Sequence, residues 1–546
     1  MKRYLFGIMM SLSLTACGGE DGQKQQDVNI QASRLVENIK ILASDEFEGR
    51  APSSPGEEKT INFLKEKFIE AGLKPGNGNS YFQEIDMVEI TASPDAVMTV
   101  THGQGAEELA YGPGYMAWTK RVVDGVSVGN SEMVFVGYGI VAPEYGWNDY
   151  EGLDVKGKTV VILINDPGYA TQNAELFTGN AMTYYGRWTY KFEEAARQGA
   201  EAAIIIHETA PASYPWDVVQ GSWSGPQFSL ASKDGNMNRV KVEGWLPGAT
   251  AEKIFTAAGL DYTAQKDAAA KAGFKAVDLK ATMSLSLANN VRFSKSNNVV
   301  AVIPGTERPD EFVIHMAHWD HLGKDESLEG DQIYNGALDN ATGTAGLIEL
   351  AHAYMSGAVE PKRSVMLMAV TAEEQGLLGS LYYGQHPIVP LEKTVAAINM
   401  DVLGHLGPTR DVTVIGYGNS ELDGYVGDAV KKVGRVVRPD PTPEKGYYYR
   451  SDHFSLAKVG VPALYIDAGV DHVEHGEAWY LEQAAKYTAN DYHKPSDEYS
   501  DDWDMSGAVE DLKLIYQIGL RLATEDSFPN WRAGTEFRAK RDAMME

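Results

Sequence analysis

The chain has 546 residues, of which 43% are hydrophobic, so it is long enough to bury the cores of two or three domains. It carries 48 Lys and Arg against 76 Asp and Glu, a formal net charge of -28. A surface of this sign repels phosphate groups, which excludes nucleic acid as an expected partner.

The amino terminus has the pattern of an export signal. Lys2 and Arg3 precede an apolar run that is too short to span a bilayer. The sequence Leu-Thr-Ala-Cys ending at Cys17 then resembles the lipobox of bacterial lipoproteins, in which cleavage leaves a lipidated cysteine. We expect a signal peptide over residues 1–17 and a lipid anchor at Cys17, with the protein exported to the outer membrane, facing the periplasm or the cell surface. An ordinary cleaved signal followed by a chance cysteine is the alternative.

Cys17 is also the only cysteine in the chain. The exported protein therefore has no disulfide, and a metal site in it must use His, Asp and Glu. Residues 18–32 are small and polar, which favours a flexible tether.

The first structured segment is predicted to be helical. Residues 33–71 read as two helices around the loop "SDEFEGRAPSSPGEE", and the second helix, "EKTINFLKEKFIEAGL", is amphipathic. A strand-rich stretch follows.

The pattern changes near Gly129. Short apolar runs such as "EMVFVGYGIV" and "GKTVVILIND" alternate with one helix and many Gly and Pro turns, which indicates a small separate unit. These segments resemble a protease-associated domain, with a helical elaboration over residues 241–280. We predict that this β-rich domain is inserted at residues 129–289, dividing a catalytic domain into residues 33–128 and 290–546.

From "SNNVVAVIPG" onward, apolar strands alternate with helices as far as "VEDLKLIYQIGLRLA". This alternation predicts an α/β fold, a mostly parallel mixed sheet covered by helices on both faces.

In such sheets the functional site lies beyond the carboxyl ends of the strands. Polar residues follow several of the predicted strands, and one His lies late in the chain: His318, Asp320, Asp339, Glu373, Glu374, Asp401 and His493. Any one of them has an ordinary structural explanation, and Asp339 by itself reads as a helix cap. The ordered set favours a metal site.

Five of these residues suffice for two zinc ions, each of which needs three protein ligands and one open position. We predict His318 and Asp401 on one Zn2+, Glu374 and His493 on the other, and Asp339 bridging both. Two residues are left over for other roles. Asp320 can orient the His318 imidazole, and Glu373 is the predicted general base.

Other histidines are less securely placed by sequence. His315, His321, His472 and His475 lie on or near the predicted cleft. We expect structural roles for them, with ligation as the alternative.

The motifs "HWDHLG", "GALDNATG", "AEEQGLLGS", "NMD" and "YHKPSD" together resemble the co-catalytic dizinc aminopeptidases, relatives of glutamate carboxypeptidase and the transferrin receptor. The resemblance implies the zinc exopeptidase fold and the ligand scheme above. It also implies a non-proline cis peptide bond after Asp339. Finally, it implies a tyrosine for the oxyanion, for which Tyr448 fits the spacing best and Tyr447 and Tyr449 compete.

We therefore expect an aminopeptidase that hydrolyses N-terminal residues from peptides with a water activated by two zinc ions and Glu373 as base. A glutamate-carboxypeptidase-like exopeptidase is the nearest alternative, and it would need an arginine cluster, for which Arg450 is the one candidate. A glutaminyl cyclase is a third possibility, but that family uses one zinc and lacks the insertion, which is evidence against it. A non-catalytic surface binding protein is a further alternative. It is expected to have lost metal ligands, whereas all five ligands and the base are present here. The sequence does not indicate the oligomeric state.

Overall fold

The structure is a computed structural model that describes residues 28–93 and 95–546. The predicted signal peptide and Cys17 lie outside the described residues. Among those that are described, no helix is long and apolar enough to cross a membrane.

Two sheets, joined by one long strand, organise the chain. The strands are β1 (Lys74–Pro75), β2 (Phe82–Ala92), β3 (Val97–His102), β4 (Gly105–Ala110), β5 (Met116–Trp118), β6 (Gly125–Phe135), β7 (Val141–Ala142), β8 (Trp147–Asn148), β9 (Thr159–Leu163), β10 (Ala202–His207), β11 (Pro226–Leu230), β12 (Val242–Pro247), β13 (Val277–Ile303), β14 (Arg308–His318), β15 (Gly323–Lys324), β16 (Ile333–Tyr334), β17 (Arg363–Val370), β18 (Thr394–Asn399), β19 (Asp411–Ile415), β20 (Val436–Pro439) and β21 (Ala463–Ala468).

Helices flank both sheets. They are α1 (Ala32–Leu42), α2 (Pro55–Glu70), α3 (Pro167–Thr171), α4 (Trp188–Arg197), α5 (Thr209–Ala212), α6 (Trp216–Trp223), α7 (Gly248–Ala257), α8 (Tyr262–Ala269), α9 (Thr342–Ser356), α10 (Leu378–Gln385), α11 (Leu422–Lys432), α12 (His453–Lys458), α13 (Gly476–Asn490), α14 (Ser506–Thr524) and α15 (Arg538–Met545). The two helices predicted within residues 33–71 are confirmed as α1 and α2.

The centre of the first sheet is parallel. β14 pairs in parallel with β17 and β18, and β18 pairs in parallel with β21. Antiparallel β13 and β2 extend the sheet on one side, and β19 pairs antiparallel with β21 on the other. The predicted mixed, mostly parallel α/β sheet is confirmed.

The strands of this centre are apolar on both faces because helices cover both. All eight residues of β17 are buried. Val365, Leu367 and Ala369 belong to the core under α9 and α14, whereas Met366 and Met368 belong to the core under α10 and α12. Side chains of a strand alternate between its two faces, so a continuous apolar run is what a doubly covered strand requires.

The second sheet begins earlier in the chain than the predicted insertion. β3 and β6 pair with the first part of β13, and β5 pairs with β12 in the same second sheet. Residues 97–118 therefore lie in the second sheet, before the boundary predicted at Gly129. β3 alternates like any half-buried strand, and the alternation does not say which sheet it joins.

β13 crosses from one unit to the other without a break. Residues 277–288 pair within the second sheet, and residues 289–303 pair with β2 and β17 in the first. The predicted end of the insertion near residue 289 matches this change of partner.

Candidate metal centre

Asp339 lies at the centre of a cluster of histidines and carboxylates. Its Oδ1 is 3.3 Å from Nε2 of His318, and its Oδ2 is 3.3 Å from Nε2 of His493. Each histidine nitrogen has a second carboxylate beside it: Asp401 Oδ1 lies 3.2 Å from His318, and Glu374 Oε2 lies 3.1 Å from His493. The cluster thus consists of two similar halves that share one aspartate.

The parallel strands deliver these residues to one edge of the sheet. His318 is the last residue of β14, Glu374 follows β17, and Asp401 follows β18. Parallel neighbours end at the same edge, so residues distant in sequence converge there. Asp339 and His493 arrive on the turns before α9 and after α13.

The backbone is unusual at several of these positions. Ala372, Val402 and His493 have φ values of 52°, 67° and 58°. A positive φ is uncommon for residues with a Cβ, and for a β-branched Val it is an outlier. At Ala372 it turns the chain directly after β17, which brings Glu373 and Glu374 to the same cleft although successive strand residues face opposite ways. The predicted cis peptide bond after Asp339 is confirmed.

The spacing of these atoms fits a metal. In a tetrahedral zinc site with bonds of about 2.0–2.1 Å, neighbouring ligand atoms lie roughly 3.3 Å apart. The four separations in the cluster are between 3.1 and 3.3 Å. In addition, Nδ1 of His318 donates to the Asp320 carbonyl oxygen at 3.1 Å, so Nε2, which faces Asp339 and Asp401, is the nitrogen that the neutral imidazole would offer to a metal.

The electrostatics of the cluster are those of paired charges in a buried place. Burial alone would raise the pKa of Asp339, but hydrogen bonds from His318 and His493 hold it well below its usual value. Burial would lower the pKa of His318, but Glu373, Asp339 and Asp401 together hold it well above 6.5. The cluster contains more carboxylates than histidines, and a divalent metal is a cation that this donor set suits.

Comparison with known proteins supports this assignment. Residues 298–516 match Peptidase family M28. This segment is therefore similar to family M28 peptidases, and we refer to the unit of the chain that contains it as the M28 domain. The match begins in β13 and ends in α14, and it contains every residue of the cluster.

Curated relatives match parts of the chain. "Aminopeptidase NAALADL1" of Mus musculus is 32% identical over 125 residues, which are 22% of this chain and 15% of that protein. "Glutamate carboxypeptidase 2 homolog" of Caenorhabditis elegans is 28% identical over 195 residues, 34% of this chain and 23% of that protein. The chain thus matches only a minor part of the length of these relatives.

A solved structure shares the fold over nearly the whole chain. "Aminopeptidase from Aneurinibacillus sp. strain AM-1" covers 92% of this chain and 96% of its own, with a TM-score of 0.51 and 19% identity. The family match and the donor set of the cluster together support a zinc site in the M28 domain.

Asp497 positions the shared aspartate, and sequence reasoning did not single it out. Its carboxylate accepts hydrogen bonds from the backbone N–H of Leu338 at 3.0 Å and of Asp339 at 3.1 Å, and from the Tyr487 hydroxyl at 3.2 Å. It is 2% exposed. The available signal was its place in "YHKPSD", four residues after His493.

Arg50 is a second residue that sequence reasoning missed. Its buried guanidinium donates to the carbonyl oxygens of Leu42, Trp319, Asn335 and Gly336, at 2.6 to 2.9 Å. It thereby ties the amino-terminal helices to the two loops that carry the first ligands. The sequence signal for Arg50 is the motif "FEGR", in which a charged residue follows a predicted helix without an evident local role.

We predict that Arg50→Met destabilises the M28 domain. Four buried carbonyl groups would lose a charged donor, and an unsatisfied buried group costs about 1–3 kcal/mol. We expect a loss of at least about 3 kcal/mol in the free energy of unfolding by chemical denaturation. Arg197→Met is the control, because Arg197 is half exposed and its ion pair with Glu194 is on the surface of α4; an equal loss in both variants would contradict the prediction.

His321 contacts the cluster through a ligand. Its Nδ1 lies 2.7 Å from Glu374 Oε1, and the residue is fully buried. His493 and His321 lower the pKa of Glu374 to about 2 against the effect of burial. His315, in contrast, pairs with the Tyr354 hydroxyl at 2.9 Å, and His472 and His475 stack on each other outside the cluster.

Asp320 acts differently from the prediction. Its carboxylate lies 3.9 Å from Nδ1 of His318, too far for a hydrogen bond, and the imidazole meets the Asp320 backbone carbonyl instead. The carboxylate Oδ1 accepts the backbone N–H of Glu373 at 3.1 Å. Asp320 therefore orients His318 through its backbone and holds the start of the Glu373 side chain through its carboxylate.

The predicted oxyanion tyrosine is not at the cluster. Tyr448 packs so tightly on Gly416 that a Cβ there would meet its ring at 2.2 Å, and its neighbours are His453 and Phe537. Of its competitors, Tyr449 donates to Glu536 at 3.0 Å. Tyr465 in β21 lies beside the cluster, and its hydroxyl donates to the Asp401 carbonyl at 3.1 Å. Tyr492 also lies beside it, with its ring stacked on that of His493 at 3.9 Å between centroids. Spacing in sequence placed Tyr448 on the right loop but could not give the direction of its side chain.

Proposed function

We propose that the protein is a zinc-dependent exopeptidase that binds two Zn2+ per chain and removes N-terminal residues from peptides. The observation that carries this proposal is Asp339, which lies equally far, 3.3 Å, from His318 and His493 with one oxygen each. His318 and Asp401 would hold one ion, and Glu374 and His493 the other. Bound zinc supplies Lewis acidity at a carbonyl and lowers the pKa of water.

Glu373 is the general base in this proposal. A carboxylate oxygen of Glu373 lies within 4.8 Å of ligand atoms of His318 and Glu374, so it borders the ligands without being needed as one. Burial raises the pKa of Glu373 well above its usual value and outweighs the charge of His318. A carboxylate with this proton affinity takes the proton of the attacking water and delivers it to the leaving amine.

The best test of the reaction class is a substrate panel. We expect hydrolysis of aminoacyl amides and short peptides with a free N-terminus, and loss of that hydrolysis when a chelator removes the metal. N-acetylation of the same peptides should abolish cleavage because an aminopeptidase binds the free amine. Cleavage that survives N-acetylation would favour a carboxypeptidase, and cleavage indifferent to the chelator would contradict a metallopeptidase.

A non-catalytic binding protein of the same fold is the second candidate function. Such a protein requires neither a general base such as Glu373 nor two matched carboxylate–histidine pairs, so the intact cluster favours an enzyme. Zinc content without hydrolysis of any peptide in the panel would support the binding protein.

We also propose that the protein is exported and anchored through a lipid on Cys17, and that the inserted unit is a protease-associated domain. The basic start, the short apolar run and the lipobox support the anchor. Incorporation of a labelled fatty acid into the wild-type protein, but not into Cys17→Ser, is the expected result. Equal labelling of both would contradict the anchor.

A further inference from the structure

Asp467 is a carboxylate near the metal centre that has no cation beside it. It lies in β21, where its Oδ1 accepts the backbone N–H of Ala468 at 2.7 Å. In the part of the chain that the structure describes, no salt bridge reaches this side chain. The residue is half-buried, so water compensates its charge only in part, and a cation from outside would stabilise it.

The side chain of Asp467 shares a face of β21 with Tyr465. Leu464 and Ile466 belong to the core under α14, and Tyr465 packs against the core on the opposite face. Successive strand residues alternate between the two faces, and Asp467 is still paired with Thr413 of β19. Asp467 therefore points to the same side as the Tyr465 ring.

This side of β21 lies next to a proposed zinc ligand. Tyr465 is the register partner of Asn399 in β18, and its hydroxyl donates to the Asp401 carbonyl. Asp401 and Asp467 each come two residues beyond these partners, at the carboxyl edge of the sheet. Burial, and after it the charge of Asp401, raise the pKa of Asp467 to about 7 against its backbone hydrogen bond. The two carboxylates are thus near neighbours.

The polar groups around Asp467 leave its charge unmatched. The hydroxyl of Thr413, directly opposite on β19, is buried and has no hydrogen-bond partner among the described residues. Arg438 is the partner of Thr413 on β20, but its guanidinium binds Asp411 at 2.6 Å and Glu477 at 3.0 Å. Its one positive charge is therefore already matched by two carboxylates.

The order of the strands relates Asp467 to the direction of the substrate. The sheet runs β17, β14, β18 and β21. Glu373, the proposed base, follows β17 and delivers a proton to the leaving amine, so the leaving part of the peptide lies toward β17. The N-terminal residue then lies on the other side of the metals, toward β18 and β21, where Asp467 is located.

We propose that Asp467 binds the side-chain cation of a Lys or Arg at the N-terminus of the substrate, so that the enzyme prefers basic N-terminal residues. The aliphatic stem of either side chain can pack along the Tyr465 ring while its charged end reaches the carboxylate. A hydrogen bond between two ionised groups is stronger than one between neutral groups. This inference rests on the proposed peptidase function, and it adds the class of substrate.

Isosteric pairs of substrates test the preference in the wild-type enzyme. Norleucine has nearly the shape of lysine and citrulline that of arginine, but neither carries a charge. We expect kcat/KM for the 4-nitroanilides of Lys and Arg to be at least about 10-fold higher than for those of norleucine and citrulline, because only the basic residues pair with a carboxylate. Equal values within both pairs would overturn the proposal.

Variants then locate the effect. Asp467→Asn keeps the size of the side chain and should lower kcat/KM for Lys and Arg to the level of their isosteres, mainly through KM, with zinc content retained. Asp467→Lys reverses the charge and should favour an N-terminal Glu over Gln. Asp502→Asn, at an exposed position, is the control and should retain the preference for basic residues.

Two results would overturn the assignment to Asp467. One is persistence of the preference in folded Asp467→Asn enzyme. The other is an equal loss on lysine and norleucine substrates, because it would place Asp467 at the α-amine or the metals rather than at the side chain.

Failure of this pocket can be separated from failure of the proposed function. Calorimetry on zinc-loaded Glu373→Gln measures binding of lysinamide and norleucinamide without turnover. If wild-type protein hydrolyses no 4-nitroanilide, the peptidase proposal fails, yet tighter binding of lysinamide that is lost when Asp467→Asn is added still supports the pocket. Equal binding of the two amides overturns it.

Discussion

Glu373→Gln is expected to lower kcat by about 10³-fold or more while two zinc ions stay bound. The glutamine keeps the size of the side chain and its backbone hydrogen bond to Asp320, 3.1 Å long, but it cannot accept a proton. General acid–base groups contribute about 10²–10⁴-fold, and here one residue serves both proton transfers. Steady-state kinetics and metal analysis of the dialysed protein give the two measurements.

Glu374→Gln is the matched control for that variant, because it changes the adjacent residue in the same way. Glu374 Oε2 lies 3.1 Å from His493 Nε2, so its loss should lower zinc content as well as activity. The pair separates proton transfer from metal binding. If Glu373→Gln stayed active, or if Glu374→Gln kept both metals and full activity, the roles assigned within the pair would be wrong.

Asp339→Asn is expected to affect both metal sites at once. Each half of the cluster contains one oxygen of Asp339, 3.3 Å from a histidine, and an amide offers only one oxygen and no charge. We expect zinc content after dialysis to fall from two ions to one or fewer, and activity to fall by at least about 10³-fold, since no general-base step proceeds without its activated water.

Asp497→Asn and Asp502→Asn are the comparison variants for Asp339→Asn, with an intermediate effect and no effect expected. Asp497 holds the backbone of Leu338 and Asp339, so its loss should weaken zinc binding by about 10–100-fold, as expected for a residue that supports a metal ligand. Asp502 is exposed, and its replacement should change nothing. Two zinc ions retained by Asp339→Asn with wild-type affinity would contradict the shared role of this aspartate.

The identity of the metal centre could be predicted from sequence because its residues follow elements with strong patterns. Continuous apolar runs such as "SVMLMAV" predict strands covered on both faces, and parallel strands place their following residues at one edge. His318, Asp339, Glu374, Asp401 and His493 could thus be collected although they span most of the M28 domain. To predict that these residues converge, it was enough to know where the strands end and in which order they occur along the chain.

The errors arose where side-chain direction or strand partner decided the outcome. Tyr448 lies on the predicted loop, but its ring turns onto Gly416, and Tyr465 from another strand meets the cluster instead. The second sheet begins at Val97, before the predicted boundary, because β3 pairs with β13 and β4. Neither the rotamer of a side chain nor the partner of a strand produces a periodic pattern in the sequence.

By itself, the sequence determined the α/β class, the two-helix start and the residues of the metal cluster, because these depend on local pattern and on the chemistry of each side chain. Only the tertiary structure decided which groups support the cluster and what lies beside it. Arg50 and Asp497 act through contacts with backbone groups far away in the chain. Such contacts between distant segments are set by packing, and packing leaves no local pattern at either residue.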